Sequence, residues 1–486
     1  MSHPMSNYWI MSSHDTYLDC WNQRADQPVL DEQMYLAALY RGVRCLELDV
    51  WDGVPTIGGD SIGEPVIARE KPKLKDDPSV NVKVALKSIQ QYLLANKKSY
   101  PIIINIENHC SYKVQEKLAK YIFEILGSIG LIVVPDNSDS MDVSDLLPSP
   151  ASMRGRVVIM GKRPNIVMDG AKVVNDDFDD ENDTVFDDEG IPNVKSRDEE
   201  EYEMEKVTEI PPQLANMTFL HTTKHKYWDK SLQLPSTHVH SFAEGVLEQM
   251  TEKNKEEQII QNLKKFTSSH ICRTFRSWKD VDKTSELNTD PLFKWSLGCQ
   301  LVSLNYSTYD EHLLKADGRF RRNGSCGYTL KPEFLRSYDA VPERPESWKL
   351  NVLCGSCLPT PDSKQQRTST GISFINPFVK INVYGGDIEQ RKGEHTTCVV
   401  GRNGLNPVFD DKTGFIFKAT SPSLAILTFT VWHKNAEGIE ELIGGSAMPV
   451  SCIREGCRSV PLFDKQNTRA GPYAYASLLV KAKRVT

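Results

Sequence analysis

The 486-residue chain has no long hydrophobic run and no N-terminal targeting pattern. A stretch of about 18 consecutive apolar residues, the minimum for a transmembrane helix, does not occur. The first four residues, Met-Ser-His-Pro, lack the basic flank and apolar core of a secretory signal. These absences predict a cytoplasmic protein that is not secreted and that does not span a membrane.

The eleven cysteines form neither a disulfide framework nor a metal-binding motif. Most are isolated, and an odd number cannot all pair within one chain. The closest pairs, Cys354 with Cys357 and Cys452 with Cys457, lack the second half that a structural zinc site needs. This usage is typical of a reducing compartment, and we interpret the first pair as incidental.

Positive charge is almost missing from one segment. Residues 176–205 contain 15 acidic residues against only Lys195 and Arg197, so the remaining chain carries a net charge of about +6 although the whole has −7. Such a segment buries too little apolar surface to order itself, and residues 171–212 are predicted to be a disordered acidic linker. It is either a solvated loop or a tether that repels anionic membranes and restrains access to a site.

On either side of this linker, strand-like and helical patterns alternate. Residues 45–50, 102–106 and 156–160 read as strands, and residues 84–94 and 114–125 read as helices. The pattern resumes after the linker with a long helix predicted over 243–266 and a strand over 299–305. Alternation of this kind predicts an α/β fold, a (β/α)8 TIM barrel split into halves at 1–170 and 213–341.

Beyond residue 342 the helical pattern disappears. Short strand-like runs separated by turn residues predict an all-β sandwich over residues 342–486. The predicted strands cover residues 348–354, 379–384, 396–400, 414–418, 425–432 and 477–482.

Polar, titratable residues stand where hydrophobic segments of the first half end. These patches are 13–18 (Ser-His-Asp-Thr-Tyr-Leu), 47–53 (Glu-Leu-Asp-Val-Trp-Asp-Gly) and 106–109 (Ile-Glu-Asn-His). In a barrel of this class the active site lies at the carboxyl ends of the strands. Carboxylates together with one histidine predict a metal-assisted site there.

With two later motifs, these patches resemble eukaryotic phosphoinositide-specific phospholipase C. The later motifs are 298–305 (Gly-Cys-Gln-Leu-Val-Ser-Leu-Asn) and 327–332 (Gly-Tyr-Thr-Leu-Lys-Pro). The resemblance covers nearly the whole chain, as an X half-barrel, an acidic X–Y linker, a Y half-barrel and a C-terminal C2 domain. The pleckstrin-homology domain and EF-hands that usually precede the X half are not in this sequence, which suggests a reduced family member, a fragment or an isoform.

The resemblance implies a role for each matching residue. The phosphate-contacting histidine would be His14, and one calcium ion would be held by Asp15, Glu47, Asp49 and Glu107. The family usually has asparagine where Asp15 stands. Substrate contacts would come from Lys162, Ser241 and Arg273, and Trp278 would belong to an apolar rim that enters the membrane.

One expected histidine is missing. The family has a second catalytic histidine after the aspartate-bearing strand, in a stretch reading roughly Tyr-His-Gly, and Gly58 is the residue interpreted as standing in its place. No histidine occurs between His14 and His109. The lysine-rich segment 64–80 is interpreted as an insertion directly after this position. Loss of one positioned acid or base typically lowers the rate about 10²–10⁴-fold, which predicts impaired catalysis.

Acidic residues are also scarce in the predicted C2 loops. Segments 374–377, 402–407 and 432–435 have asparagines and a histidine where calcium-binding C2 domains have aspartates. The C2 calcium sites are therefore predicted to be lost, and the domain to brace the barrel or to dock on membranes without calcium.

Two functions remain open. One is calcium-dependent hydrolysis of phosphatidylinositol 4,5-bisphosphate to diacylglycerol and inositol 1,4,5-trisphosphate, weakened by Gly58. The other is a catalytically inactive scaffold that binds phosphoinositides or inositol phosphates, and Gly58 favours this second function. Both functions predict binding to a phosphoinositide lipid, peripheral contact with membranes and signalling-protein partners. Neither function predicts a nucleic-acid partner. His109 is interpreted as structural, and His221, His225, His238 and His240 as part of an exposed loop.

Overall fold

The computed structural model describes residues 1–19, 29–55, 62–134, 146–163, 210–252, 256–276, 288–337, 340–361, 374–385 and 394–485. The chain divides into two compact units. The first comprises Met1–Thr289, Leu297–Thr308 and Cys326–Ala340, and the second comprises Asp290–Ser296, Tyr309–Ser325 and Val341–Thr486. Every helix within the described ranges is too short or too polar to cross a membrane.

The first unit is built on strands that alternate with helices. Its described strands are β1 (Tyr8–Ser13), β2 (Leu18–Asp19), β3 (Val29–Leu30), β4 (Cys45–Asp52), β5 (Pro65–Ile67), β6 (Val80–Asn81), β7 (Ile102–Asn108), β8 (Val157–Gly161), β9 (Thr218–Thr223), β10 (His238–Ala243), β11 (Ile271–Phe275), β12 (Leu301–Leu304) and β13 (Tyr328–Leu330). Its described helices are α1 (Gln33–Arg41), α2 (Val82–Ala95), α3 (Tyr112–Ile122), α4 (Pro212–Met217), α5 (Trp228–Ser231), α6 (Glu244–Glu252) and α7 (Glu256–Ser269).

Eight of these strands run parallel and close into a barrel. The order is β1, β4, β7, β8, β9, β10, β11 and β12, and β12 pairs back to β1. β5 and β6 extend β4 in antiparallel fashion, and β13 pairs antiparallel with β1. The closed parallel ring confirms the predicted (β/α)8 barrel.

The barrel interior follows the two-residue period of its strands. A buried apolar layer takes one residue or more from every barrel strand, including Ile10, Ile103, Val239 and Ile271. Because side chains alternate between the faces of a strand, residues two and four positions further along face the same interior. The inward-facing residues that follow the apolar layer along each strand are therefore the polar residues at the carboxyl ends.

The opposite end of the barrel is closed by Gln300, within the motif at 298–305. Its amide nitrogen lies 2.7–2.8 Å from the carbonyl oxygens of Ser6, Thr267 and His270, which share its two hydrogens, and its oxygen accepts from the Cys272 N–H at 2.9 Å. The Gln300 side chain is fully buried. One side chain therefore joins the chain's first turn to two barrel strands and the end of α7.

We expect Gln300→Met to lower the free energy of unfolding by about 3 kcal/mol. Methionine has a similar volume but leaves a buried N–H and carbonyls without their partner, and each such group costs about 1–3 kcal/mol. Chemical denaturation of the full chain measures this loss. Gln33→Met, on the first turn of α1, is the control, and equal stability of the two variants would contradict the prediction.

The helices of the first unit form where apolar residues recur every three or four positions. In α2 the buried residues Leu86, Ile89 and Leu93 have this spacing, and the Asn81 side chain caps the helix by accepting from the Lys83 N–H at 2.9 Å. α3 continues into a π-helical turn, Phe123–Gly127. The predicted helix over 243–266 is present as two helices, α6 and α7.

The second unit contains a β-sandwich. Its described strands are β14 (Glu346–Ser356), β15 (Pro377–Tyr384), β16 (His395–Thr396), β17 (Phe415–Ala419), β18 (Ile426–Lys434), β19 (Glu440–Pro449), β20 (Gly456–Pro461) and β21 (Ser477–Arg484). They form two four-stranded antiparallel sheets, ordered β17-β14-β21-β20 and β16-β15-β18-β19, around one apolar core. The all-β C-terminal prediction is confirmed. The strand predicted over 396–400 is wrong beyond residue 396, and β19 and β20 were not predicted.

Two helices also belong to this second unit: α8 (Pro291–Ser296) and α9 (Glu311–Arg321). Gly318 of α9 lies so close to Ala447 of β19 that an added Cβ would meet its backbone at 2.7 Å. Arg319 is buried and donates to the carbonyl oxygens of Ser423 at 3.1 Å and Leu424 at 2.7 Å. A helix that follows a barrel strand in sequence thus packs directly on the sandwich.

Candidate active site

The predicted site residues of the first unit lie at the carboxyl end of the barrel. Their positions relative to the strands explain this. His14 follows β1, Glu47 and Asp49 lie in β4, and Glu107 lies near the end of β7. Lys162 follows β8, Ser241 lies in β10, and Arg273 in β11. All seven continue the inward register of the apolar layer.

Neighbouring strands bring the carboxylates together. β4 and β7 pair so that Asp49 stands opposite Glu107 and Glu47 opposite Asn105. Asn105 donates to Glu107 Oε1 at 2.8 Å. Three acidic residues from two patches along the sequence, Glu47 and Asp49 from one and Glu107 from the other, therefore meet at one edge.

Glu47 is the centre of the cluster. Its Oε2 lies 2.6 Å from His14 Nδ1 and accepts from the Asp15 N–H at 3.0 Å, while its Oε1 contacts the Arg273 guanidinium. Burial alone would raise the pKa of Glu47, but Arg273 and His14 outweigh it and hold that pKa below its usual range. Glu47 is therefore a fully paired carboxylate.

His14 is held as a cation. Burial would lower the pKa of His14, but the carboxylates of Asp15 and Glu47 outweigh burial and raise this pKa to about 10. His14 Nδ1 faces Glu47. The other ring nitrogen, Nε2, therefore faces Asp15 and lies 3.8 Å from Asp15 Oδ2. At neutral pH His14 can donate a proton or a hydrogen bond, and it is not poised to act as a base.

A buried tyrosine joins two of the carboxyl groups. The Tyr17 hydroxyl lies 3.0 Å from Asp15 Oδ1 and 2.8 Å from Asp49 Oδ2. One hydroxyl hydrogen can serve only one of these acceptors at a time. Burial, with Glu47 close by, raises the pKa of both Asp15 and Asp49. Tyr17 was in the first sequence patch but had no predicted role there.

Arg273 lies between two of the predicted calcium ligands. Nη1 donates to Glu107 Oε1 at 3.0 Å and to Ser241 Oγ at 3.2 Å, and Nη2 contacts Glu47. The guanidinium also lies over the Phe275 ring, 4.8 Å from its centroid. Burial would lower the pKa of Arg273, but Glu47 and Glu107 raise it.

A second arginine reaches the site from the segment predicted to be an insertion. β5 pairs with β4, the Ala68 N–H donates to Asp49 O at 3.1 Å, and Trp51 Nε1 donates to Ala68 O at 2.9 Å. These bonds fix the next residue, Arg69, and its Nη2 lies 3.9 Å from Asp15 Oδ2. Sequence reasoning missed Arg69 because its proximity depends on the pairing of β5 with β4.

The donor set fits a metal ion in part. Ligand atoms of His14, Asp15 and Glu47 lie within 4.8 Å of one another. The carboxylate oxygens suit a hard cation such as calcium, whereas an imidazole nitrogen does not. Asp15, Glu47, Asp49 and Glu107 could hold calcium once Glu47 and Glu107 exchange partners.

Two predicted residues lie outside the described part of the chain. Gly58, assigned to the missing histidine, belongs to segment 56–61, and Trp278, assigned to the membrane rim, belongs to segment 277–287. Residues 171–209 of the predicted acidic linker 171–212 also lie outside it, whereas residues 210–212 are described and Pro212 begins α4. Lys162 is described and half-buried at the carboxyl end of β8.

The histidines around β9 and β10 are buried (His225 and His240) or half-buried (His221 and His238), so their prediction as an exposed loop is wrong. The strands place them on the outer face of the barrel, where α5 and α7 cover them. His240 stacks on Phe266 of α7 at 4.5 Å between centroids, and Phe266 stacks on His270 at 4.4 Å. Burial lowers the pKa of His221 and His225 to about 3 and of His238 and His240 to about 4.

His109, interpreted from the sequence as structural, is exposed at the end of β7. Its ring stacks on Trp51 with centroids 4.0 Å apart and planes 11° apart. Its backbone N–H donates to Val50 O at 2.9 Å. These contacts tie the end of β7 to β4.

In the C2 loops, neutral side chains link the loops to one another. Asn376 Oδ1 accepts from the Arg402 N–H at 2.9 Å, and Asn376 Nδ2 donates to Lys434 O at 2.9 Å. The Asn376 N–H donates to His433 Nδ1 at 3.0 Å. Asn376 and His433 thus make structural bonds between the loops.

Three family models match successive parts of the chain. Residues 1–163 match the X domain of phosphatidylinositol-specific phospholipase C, residues 214–334 match its Y domain, and residues 347–464 match the C2 domain. The matches follow the order of barrel half, barrel half and sandwich.

Curated relatives and solved structures agree with these matches. The chain is 28% identical to 1-phosphatidylinositol 4,5-bisphosphate phosphodiesterase delta-4 of Xenopus laevis and to the delta-1 enzyme of Homo sapiens, over 99% of this chain and 60% of each relative. The crystal structure of PLC21 from L. pealei has the same fold, with a TM-score of 0.75 and 23% identity over 100% of this chain and 56% of that one. The chain spans about 60% of the length of its curated relatives. It belongs to the eukaryotic phosphoinositide-specific phospholipase C family with X, Y and C2 domains.

Proposed function

We propose that this chain binds phosphatidylinositol 4,5-bisphosphate at the barrel mouth and hydrolyses it slowly, in a calcium-dependent reaction, to diacylglycerol and inositol 1,4,5-trisphosphate. The observation that carries this proposal is the cluster of Asp15, Glu47, Asp49 and Glu107 beside His14 at the carboxyl end of the barrel. The relatives named as phosphatidylinositol 4,5-bisphosphate phosphodiesterases support the choice of substrate.

The proposed reaction starts with attack of the inositol 2-hydroxyl on phosphorus. The diacylglycerol oxygen leaves with a proton, and water then opens the resulting cyclic phosphate. Calcium, when bound by the four carboxylates, would lower the pKa of the attacking hydroxyl and neutralise developing charge. His14 would donate to a phosphate oxygen, and Lys162, Ser241 and Arg273 would hold the ring phosphates.

The proposed reaction is slow because, among the described residues, no second histidine stands beside the carboxylates to transfer a proton. Among the described residues around this cluster, His14 is the histidine that contacts the carboxylates, and it is held protonated. The guanidiniums of Arg69 and Arg273, which also lie beside these carboxylates, do not release a proton in proteins. This favours the alternative of an inactive scaffold that binds phosphoinositides or inositol phosphates.

We expect turnover of phosphatidylinositol 4,5-bisphosphate by the purified full chain with calcium to lie about 10²–10⁴-fold below that of an intact family member, and just above the background set by a His14→Ala control. Removal of one positioned acid or base costs about 10²–10⁴-fold in rate. Release of inositol trisphosphate from mixed vesicles measures this. Activity within about tenfold of an intact family member would contradict the proposed impairment, and binding of vesicles without turnover would support the scaffold function.

The proposal for the C2 domain is peripheral membrane contact without calcium. Asn376 and His433 supply neutral groups that are already bonded within the loops. Trp278 remains the proposed apolar membrane contact of the barrel rim. Cytoplasmic location and signalling-protein partners are likewise part of the proposal.

A further inference from the structure

We propose that Arg273 is an internal competitor of calcium, and that calcium and a phosphate ligand bind cooperatively because calcium displaces this guanidinium onto the phosphate. The inference deepens the proposed function and rests on it, since it assumes that the carboxylate cluster binds calcium. Its test measures binding, so an absence of turnover does not decide it.

The geometry places one cation between two proposed ligands. Arg273 rises from β11 with a side chain that is 4% exposed, and it reaches Glu107 at 3.0 Å and Glu47. These two carboxylates come from the neighbouring strands β7 and β4. The guanidinium therefore lies between two of the residues that would hold calcium.

Both carboxylate oxygens of Glu47 already take part in hydrogen bonds. Oε2 already serves His14 and the Asp15 N–H, and Oε1 serves Arg273. In Glu107, Oε1 is shared between Arg273 and Asn105. A calcium ion needs carboxylate oxygens directed at it, so Glu47 Oε1 and Glu107 Oε1 become available to it only when Arg273 withdraws.

Once displaced from Glu47 and Glu107, the Arg273 guanidinium must pair with another negatively charged group. A buried charge left without its partner is strongly unfavourable, and the planar guanidinium fork matches a phosphate group with two parallel hydrogen bonds. The Ser241 hydroxyl, 3.2 Å from Nη1, lies on the same side as a second phosphate donor. A phosphate in the barrel mouth would therefore stabilise the calcium-bound arrangement, and calcium would stabilise phosphate binding.

The first test is calcium titration by calorimetry of the full chain without phosphate. We expect Arg273→Gln to bind calcium at least about tenfold more tightly than the wild type, in the range usual for coupled sites. Arg69→Gln is the matched control, since it removes the same charge 3.9 Å from Asp15 without freeing Glu47 or Glu107. An unchanged affinity of Arg273→Gln, or an equal gain in both variants, would overturn the proposal.

The second test measures the coupling with inositol 1,4,5-trisphosphate as the soluble probe. In the wild type, a saturating amount of the probe should raise the affinity for calcium about tenfold. Linkage requires that saturating calcium raises the affinity for the probe by the same factor. In Arg273→Gln this factor should fall to about two or less. If the coupling persists in the variant, it arises from direct contact between calcium and phosphate. The proposed displacement of Arg273 would then be rejected.

A variant that keeps the positive charge controls for misfolding of Arg273→Gln. Arg273→Lys retains a cation that cannot bridge both carboxylates, because an ammonium group is a single point charge. Its calcium affinity should lie between those of the wild type and Arg273→Gln, and calcium should raise its melting temperature more than that of the wild type. Failure of all these proteins to bind calcium would reject the calcium site itself, a result distinct from equal binding by all.

Discussion

Arg69→His should raise turnover of phosphatidylinositol 4,5-bisphosphate by about 10²-fold over the wild type, the lower end of what one positioned acid or base supplies. The residue follows β5, is fixed by the bonds of Ala68 to Asp49 and Trp51, and reaches 3.9 Å from the Asp15 carboxylate. An arginine there can stabilise charge but cannot transfer a proton, whereas a histidine can do both near neutral pH.

Two further variants identify the position of the missing group. Arg69→Gln removes the charge without adding a proton-transfer group, and it should give no gain. Gly58→His tests the position that the sequence resemblance indicates. A gain from Gly58→His, with none from Arg69→His, would show that residue 58 is the altered position and that Arg69 has another role.

The second large effect is loss of stability in mild acid. Four histidines of this cluster, His225 and His240 (buried) and His221 and His238 (half-buried), have pKa values lowered to about 3–4, mainly by desolvation. A group whose pKa is lower in the folded state than in the unfolded state stabilises the fold above the unfolded pKa, near 6.5. Below pH 6.5 the unfolded chain takes up more protons, so stability falls with pH.

Hydrogen bonds within the cluster explain why it stays neutral. His240 Nδ1–H donates to Thr223 O at 2.9 Å, so its Nε2 must accept from the Ser231 hydroxyl at 2.9 Å. Ser231 Oγ in turn lies 2.9 Å from His225 Nδ1, which donates to it. A proton added to His240 Nε2 would place two donors against each other inside an apolar shell.

The expected loss is about 2 kcal/mol per histidine between pH 6.5 and pH 5, and on the order of 8 kcal/mol for the four, similar to the whole stability of many domains. Denaturation of the full chain between pH 7.5 and 5 measures it. Because the raised pKa values of Asp15 and Asp49 act in the opposite direction, the comparison between variants is decisive. His225→Phe should reduce the loss by about 2 kcal/mol, whereas exposed His3→Gln should leave it unchanged. Equal slopes for all three proteins would contradict this cause.

The two-residue strand period and its alternation with helices were enough to predict the barrel, because they depend on local sequence. The carboxylates could be predicted for the same reason, since Glu47 and Asp49 alternate with apolar residues in β4 and Glu107 lies near the end of β7. Arg69 could not be predicted, because it reaches Asp15 only through the antiparallel pairing of β5 with β4. The outer histidines could not be predicted either, since their strands alternate regularly and only the packing of α7 reveals that both faces are covered.

The assignment of α9 to the C-terminal unit has a consequence for recombination between relatives. A chimera joined at residue 342 would take the sandwich from one parent and α9 from the other. Gly318, which admits no side chain against Ala447, and Arg319, which binds two carbonyl oxygens of the sandwich, would then have to match a foreign surface. A junction placed before residue 309 instead keeps these partners together, so viable exchanges should cluster there.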